Sequence, residues 1–275
     1  MAKLRVGIVD YLNSRPLAWG FLKGDHGDLF TPTFHPPATV ARMLADGGLD
    51  IGLIPSIEVE RIPGLRILPD LCVAATHEVR SVLLVSRVDP AADPAAIRRV
   101  ALDHNSRTSA ALLRILMRER WSADPEYVEA RPDVERMLET ADAALVIGDP
   151  ALRFHASGER ERRGLHTVDL AAEWQALTGL PFVFAVWAVR EEAWRPDLAY
   201  YFKSSLRLGL ASIDSVVREA AAELDLDRTT LHTYLTENLS YLLQGPQRRG
   251  LEEFWRRARV HGLLPEAEPA ELTHG

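Results

Sequence analysis

A dense group of hydrogen-bond donors lies in residues 103–109, where Ser106, Arg107, Thr108 and Ser109 stand close together in the run Asp-His-Asn-Ser-Arg-Thr-Ser. A strand is predicted before this run and a helix after it, so these side chains would lie beside the free amides of a helix start. Such donors suit the carboxylate of a small anion. The alternative is an ordinary helix cap with solvated side chains, which the spacing alone favours about as often.

A second polar run, residues 10–15, connects a predicted strand at residues 4–9 to a helix that Pro16 opens. Tyr11 and Asn13 belong to this run. A strand that leads into a helix start exposes unpaired amides, so polar side chains there commonly form an anion site. A simple helix cap is equally compatible with the pattern.

Three further residues are candidates because each lies at a predicted strand end. Ser56 follows Pro55, where its hydroxyl would face a cleft or cap a short helix. Ser81 opens a strand otherwise built of valine and leucine, and its alternative is a strand-edge serine. Asp149 is favoured as a helix cap, with substrate contact or a base role as the minority interpretation.

Aromatic side chains could cover a flat substrate ring. Tyr11 and Trp174 are the candidates, although an aromatic residue near a strand end is more often part of the core. Residues 178–181, Thr-Gly-Leu-Pro, could line the same cleft.

The alternation of elements predicts an α/β fold. Strands are predicted at residues 4–9, 31–34, 50–54, 67–75, 81–86, 99–102, 126–130, 143–147 and 182–189. Helices are predicted from Pro16, at 37–48, 56–61, 108–120 and 132–140, and from Asp149. This pattern is typical of mostly parallel sheets with helices on both faces. Sites in such sheets gather beyond the carboxyl ends of the strands, where Asn13 and Ser56 both fall.

The last third of the chain is predicted to be almost wholly helical. Apolar residues recur there at three- and four-residue steps, as Leu206, Leu210, Ile213 and Val217, then Leu231, Leu235, Leu239 and Leu242, then Leu251, Phe254, Trp255 and Ala258. These are interpreted as packing stripes. The tail from Pro265 is predicted to fray.

Composition narrows the function classes. The 275-residue chain is 47% hydrophobic and 26% charged, which is typical of a globular protein of one or two domains. A net charge of −7 with interspersed signs argues against a nucleic-acid partner. It also means that an anionic substrate would need local donors. The single cysteine, Cys72, excludes an internal disulfide and a multi-cysteine metal site.

Familiar catalytic motifs are missing from the sequence. It has no phosphate-binding loop, dinucleotide fingerprint, His-Glu-x-x-His or Gly-x-Ser-x-Gly motif, and the nine histidines show no metal-ligand pair. Chemistry without a metal or cofactor is therefore predicted. No secretory signal or apolar run of about 18 residues is visible, which predicts a cytoplasmic protein with no membrane partner.

The sequence resembles the chorismate dehydratase family, which supplies the first enzyme of the futalosine route to menaquinone. The segments that carry the resemblance follow the family order over most of the chain: Val-Gly-Ile-Val-Asp-Tyr-Leu-Asn-Ser-Arg-Pro-Leu at 6–17, Gly-Leu-Ile-Pro-Ser-Ile-Glu at 52–58, Arg-Ser-Val-Leu-Leu at 80–84, the run at 103–109, Ile-Gly-Asp-Pro-Ala at 147–151 and Thr-Gly-Leu-Pro-Phe at 178–182.

This resemblance implies a two-lobed fold like that of type II periplasmic binding proteins, with a cleft between the lobes. Residues 1–85 and 186–275 would form lobe one and residues 86–185 lobe two, with hinges near Ser86 and Ala185. Asn13 and Ser81 would be the catalytic pair nearest the reacting ring. The donors of residues 106–109 would hold substrate.

The implied reaction is loss of water from chorismate, the small-molecule partner. Since no general base is evident, the hypothesis is that the substrate's own enolpyruvyl carboxylate removes the proton while Asn13 and Ser81 position the groups. Two alternatives stay open: the related 1,4-dihydroxy-6-naphthoate synthase of the same pathway, and a non-catalytic protein that binds small anions. The sequence leaves the oligomeric state open.

Overall fold

The computed structural model describes residues 3–24 and 27–266. The tail predicted to fray falls almost wholly on residues 267–275, outside that range. The strands of the described part are β1 (Leu4–Val9), β2 (Phe30–His35), β3 (Ile51–Pro55), β4 (Leu65–Ala75), β5 (Val82–Ser86), β6 (Arg99–Asp103), β7 (Glu126–Ala130), β8 (Ala143–Ile147), β9 (His166–Asp169), β10 (Phe182–Arg190) and β11 (Ser240–Leu242).

The α-helices of the described part are α1 (Arg15–Lys23), α2 (Pro37–Ala45), α3 (Thr108–Glu119), α4 (Val134–Thr140), α5 (Gly148–Ala156), α6 (Glu159–Arg162), α7 (Leu170–Thr178), α8 (Leu198–Ala211), α9 (Ile213–Leu224), α10 (Arg228–Thr233) and α11 (Gly245–Val260). Short 3-10 turns at Leu12–Ser14 and Ser56–Glu60 follow β1 and β3. The strands predicted before residue 150 are all present, with ends displaced by only a few residues.

Two sheets organise the chain. The first has the strand order β11-β4-β10-β3-β1-β2, and the second has the order β7-β6-β8-β5-β9. We call the part of the chain built on the first sheet lobe one and the part built on the second lobe two. Strand β3 of the first sheet and strand β8 of the second are buried at every position.

The sheets are mixed, whereas the sequence predicted mostly parallel ones. Parallel pairing holds within the βαβ units, where β1 pairs with β2 and β3 and β6 pairs with β7 and β8. By contrast, β5 and β10 pair antiparallel with their neighbours. These two strands follow the crossings between sheets, so no helical crossover fixes them in the parallel direction.

The chain passes from one sheet to the other at residues that differ from the predicted hinges. The predicted boundaries put β5 in lobe one and the first residues of β10 in lobe two. However, β5 pairs with β8 and β9, and β10 pairs with β3 and β4 along its whole length. The crossings therefore lie in residues 76–81 and 179–181, because a strand joins the sheet that supplies its hydrogen bonds.

Helices α1 and α8 pack closely and fix the end of the loop that carries Asn13. A Cβ added at Gly20 would lie 2.5 Å from the Cα of Ser205, so only glycine permits this approach. The Ser205 hydroxyl accepts from Gly20 N–H at 2.9 Å and donates to the Leu17 carbonyl at 2.7 Å. The start of α1 is thereby held against lobe one.

The C-terminal part differs from the predicted helices. The stripe in α11 is confirmed, since Leu251, Phe254, Trp255 and Ala258 are all buried. The other two stripes are broken by chain turns, so that Leu210 and Leu242 are 43% exposed and Leu242 ends a strand. A π-helical turn at Tyr234–Asn238 interrupts the second stripe.

Strand β9 and helix α7, which were not predicted from the sequence, complete lobe two. Strand β9 is four residues long and lies at the sheet edge, so it shows little apolar alternation. The start of α7 carries a sequence signal, namely Asp169 as the helix cap. Its carboxylate accepts from Ala171 N–H at 3.0 Å and from Ala172 N–H at 3.3 Å.

Candidate active site between the two sheets

A pocket opens between the two sheets, beyond the carboxyl ends of β1, β3, β6 and β8. Residues of both sheets and of the crossing line it: Val9, Tyr11, Asn13, Pro37, Leu53, Pro55, Val73, Val79, Ser81, Val82, Asn105, Arg107, Thr108, Ser109, Ile147, Gly148, Phe184 and Ala185. The polar members cluster at strand ends and helix starts, and the strands supply apolar walls. This is the position at which open α/β sheets hold small ligands.

The turn after β1 presents Asn13 to the pocket. Ser14 shapes this turn, because its hydroxyl donates to the Tyr11 carbonyl at 2.8 Å and is also bonded to the Val9 carbonyl. Ser14 is the residue before α1, yet it makes no side-chain capping bond. The simple cap considered for this run is therefore not formed by Ser14, and Asn13 is left half-buried at the pocket wall.

Ser81 is held from several sides. Its carbonyl accepts from Gly148 N–H at 2.8 Å, and its hydroxyl accepts from the phenol of Tyr234 at 2.8 Å. The preceding Arg80 has a φ of 61°, which costs a non-glycine residue about 1–2 kcal/mol. Arg80 N–H donates to the Asp169 carboxylate at 2.6 Å, and this bond holds the strained backbone that aims Ser81.

Hydrogen bonds to Asp103 stabilise the loop between β6 and α3. The Asp103 carboxylate accepts from Asn105 N–H at 2.9 Å, and the Asp103 carbonyl accepts from Ser106 N–H at 2.8 Å. Burial raises the pKa of Asp103, against the opposing effect of the Asn105 amide. Ser106 is buried behind the loop, and its hydroxyl has no hydrogen-bond partner within the described residues.

Arg107 immediately precedes α3 and faces the pocket. Its side chain makes no capping bond and has no ion pair or hydrogen bond among residues 3–24 and 27–266. The guanidinium is exposed, as expected for an arginine in a loop, and is free to meet an anion.

Thr108 lines the pocket and connects α3 of lobe two to the turn after β3 in lobe one. The Thr108 hydroxyl accepts from Ile57 N–H at 3.2 Å and lies 3.4 Å from the Ser56 hydroxyl. Ser56 donates to the Val183 carbonyl at 2.7 Å and is fully buried. Ser56 therefore ties the turn after β3 to β10, and it does not line the pocket.

Asp149 makes a second connection between the lobes. The sequence favoured it as a helix cap, but α5 already begins at Gly148 and the Asp149 carboxylate accepts from Leu12 N–H at 2.9 Å. Burial raises the pKa of Asp149 to about 6, although the Leu12 amide opposes that rise. The carboxylate is thus engaged in holding the turn after β1 and does not line the pocket.

Gly148 allows the Tyr11 ring to pack next to the hydrogen bond between Asp149 and Leu12. Its φ is 66°, and a Cβ there would lie 2.6 Å from the Tyr11 ring. Burial is the main reason that the pKa of Tyr11 is raised above its ordinary value, with the Asp103 and Asp149 carboxylates adding to it. The Tyr11 phenol therefore stays protonated and can donate a hydrogen bond.

The structure brings most of the predicted site residues together. Those that line the pocket are Tyr11, Asn13, Ser81, Arg107, Thr108 and Ser109. Those that lie behind it are Ser56, Ser106 and Asp149. Trp174 also lies in the core, where its indole donates to the Pro181 carbonyl at 3.3 Å, and residues 178–181 do not line the pocket.

Sequence reasoning missed Asn105, Phe184 and Tyr234. Asn105 lies inside the quoted run at 103–109 and could have been included on that ground. Phe184 occupies an ordinary strand position. Tyr234 lies among predicted packing residues, so only tertiary structure reveals its contact with Ser81.

Within the part of the chain that the structure describes, no group of three or more His, Cys, Asp or Glu side chains is arranged to hold a metal ion. Over the same residues, no helix is both long enough and apolar enough to cross a membrane.

A family model described as menaquinone biosynthesis matches residues 4–260. The chain belongs to this family. Among curated members, the chorismate dehydratase of Thermus thermophilus is 35% identical over 231 residues, which cover 79% of this chain and 83% of the relative. The chorismate dehydratase of Campylobacter jejuni is 24% identical over 263 residues, 94% of this chain and 98% of the relative. The resemblance to chorismate dehydratases is thus confirmed.

Solved structures confirm the fold of this family member. Protein AF1704 from Archaeoglobus fulgidus superposes with a TM-score of 0.75 at 17% identity, covering 95% of this chain and 98% of that one. The periplasmic aliphatic sulphonate binding protein SsuA from Escherichia coli gives 0.66 at 15% identity, covering 97% and 94%. At such identities the likeness concerns the fold alone, and the fold is that of a periplasmic binding protein.

Proposed function

We propose that this protein is a chorismate dehydratase, a hydro-lyase that converts chorismate to 3-[(1-carboxyvinyl)oxy]benzoate for menaquinone biosynthesis without a cofactor. The observation that carries the proposal is the meeting of Asn13, from lobe one, and Ser81, from the crossing that leads into lobe two, at one pocket. The curated relatives named chorismate dehydratase support it and do not favour the naphthoate synthase alternative.

The pocket suits a small cyclic dianion. Val9, Leu53, Val73 and Ile147 offer apolar walls to the ring. Because the chain carries a net charge of −7, binding must depend on donors inside the pocket.

The start of α3 supplies hydrogen-bond donors for an anionic substrate. Arg107 brings a guanidinium that has no partner among the described residues, and Thr108 and Ser109 bring hydroxyls to the same wall. The helix start adds the positive end of its dipole. We propose that one substrate carboxylate binds at this wall.

Elimination requires loss of a proton from the ring carbon that carries the ether and loss of hydroxide from the neighbouring carbon. The C–H electron pair becomes part of the new aromatic ring, and the hydroxide leaves as water after taking up the proton. Aromatisation drives the reaction, so the protein must hold the groups in place and stabilise the leaving oxygen. We assign that stabilisation to Asn13 and Ser81.

We assign the proton transfer to the enolpyruvyl carboxylate of the substrate. Among protein carboxylates near the pocket, Asp149 is engaged with Leu12 N–H and Asp103 with Asn105 N–H, and neither lines the pocket. A base must reach the proton that it removes. The substrate carboxylate, covalently attached beside that proton, meets this requirement.

The test is incubation of purified protein with chorismate, followed by chromatographic and ultraviolet detection of the aromatic product. We expect turnover by the wild type and a loss of about 100-fold or more in kcat for Asn13→Ala and Ser81→Ala, the size typical of a lost transition-state donor. Ser157→Ala, at an exposed serine after α5, is the matched control and should keep full activity.

A protein that binds chorismate and returns it unchanged would be the non-catalytic anion binder, and the proposed function would be wrong. The cytoplasmic location stays a prediction, and this assay does not depend on it.

A further inference from the structure

The Ser81 hydroxyl accepts a hydrogen bond from a buried phenol in the C-terminal part of the chain. Tyr234 begins the π-helical turn Tyr234–Asn238 and is 1% exposed. Its hydroxyl donates to the Ser81 hydroxyl oxygen at 2.8 Å. A side chain outside the pocket lining thus contacts Ser81, one of the two proposed catalytic residues.

The direction of this bond follows from the protons available. A phenol has one proton, and Tyr234 gives it to Ser81. Ser81, whose oxygen is already occupied by the Tyr234 donor, keeps its own proton for a partner in the pocket. Bonds in such a chain polarise one another, so Ser81 becomes a stronger donor.

Resting on the proposed function, we propose that Tyr234 is a positioning residue that orients Ser81 and turns the Ser81 proton toward the leaving hydroxyl of chorismate. It does not touch the substrate itself. Burial raises the pKa of Tyr234 above its ordinary value, so the phenol is a neutral donor at neutral pH. A π-helical turn at this point fits the proposal, since such turns occur frequently at functional sites.

Tyr234→Phe tests the proposal because it keeps the ring and removes only the hydroxyl. We expect kcat to fall by about 10- to 100-fold and KM for chorismate to change less than about threefold, since the lost bond serves the leaving group. In a Ser81→Ala background the same change should cause almost no further loss, because the residue through which Tyr234 acts is gone.

Tyr241→Phe is the matched control. Tyr241 is 5% exposed, and its hydroxyl is buried without a hydrogen-bond partner among the described residues. Its removal should leave kcat and KM at wild-type values. A purely structural effect of losing a buried phenol would lower activity in both variants.

Tyr234→Phe with kcat within twofold of the wild type would overturn the proposal. A full additional loss in the Ser81→Ala background would also overturn it. If Tyr234→Phe does not fold, 3-fluorotyrosine at position 234 keeps the shape of the side chain and offers a stronger hydrogen-bond donor. A kcat at or above the wild-type value would then support the proposal. A kcat more than threefold below it would refute the proposal. Wild-type protein that fails to convert chorismate would refute the proposed function instead.

Discussion

Replacing Asp149 with asparagine separates two roles that a carboxylate in this position could have. The amide keeps an oxygen that can accept from Leu12 N–H, now at 2.9 Å, but it can neither ionise nor act as a base. If the substrate's own carboxylate removes the proton, Asp149→Asn should retain kcat within about threefold of the wild type, because a base contributes about 10²–10⁴-fold.

The same substitution should change how stability depends on pH. Burial raises the pKa of Asp149 from 3.8 to about 6. Since the unfolded chain loses this proton at lower pH than the folded protein, wild-type stability falls as pH rises from about 4 to about 6. The difference between those values corresponds to at most about 3 kcal/mol. Asp149→Asn should therefore be more stable than the wild type by about 1–3 kcal/mol at pH 7, and the gain should fade below pH 4.

Urea unfolding at several pH values from 4 to 8 measures this gain, and chorismate turnover at neutral pH measures kcat. Asp10→Asn, the same change at an exposed carboxylate of the same turn, is the matched control and should alter stability by less than about 0.5 kcal/mol. A stability difference that does not vary with pH would refute the linkage. Abolished turnover with intact chorismate binding would refute the substrate-assisted mechanism and identify Asp149 as the base.

Three further substitutions test other parts of the site. Arg107→Gln should raise KM for chorismate about 10-fold or more with a smaller effect on kcat, since the guanidinium holds a carboxylate; an unchanged KM in steady-state kinetics would place the anion elsewhere. Gly148→Ala should lower stability by about 1–3 kcal/mol, because φ is 66° and the new Cβ would lie 2.6 Å from the Tyr11 ring; a wild-type melting temperature would contradict this. Thr108→Val should cost about 1–2 kcal/mol by removing the acceptor for Ile57 N–H; urea unfolding with the wild-type midpoint would show that this contact between the lobes adds nothing.

Much of this protein follows from the sequence because its causes are local. Strand β7 and strand β8 lie at the predicted residues, since periodicity, proline and glycine act over a few positions. Polar runs after β1 and β6 indicated an anion site, because free amides at a helix start depend only on the chain nearby. The family segments added Asn13 and Ser81 as the proposed catalytic pair.

What the sequence could not determine depends on residues far apart in the chain. The Ser56 hydroxyl is turned away from the pocket by the Val183 carbonyl, 127 positions away, and Asp149 is engaged by Leu12, 137 positions away. Tyr234 meets Ser81 across 153 positions. Side-chain direction follows the nearest available partner in space, and only the packing of the two sheets decides which partner that is.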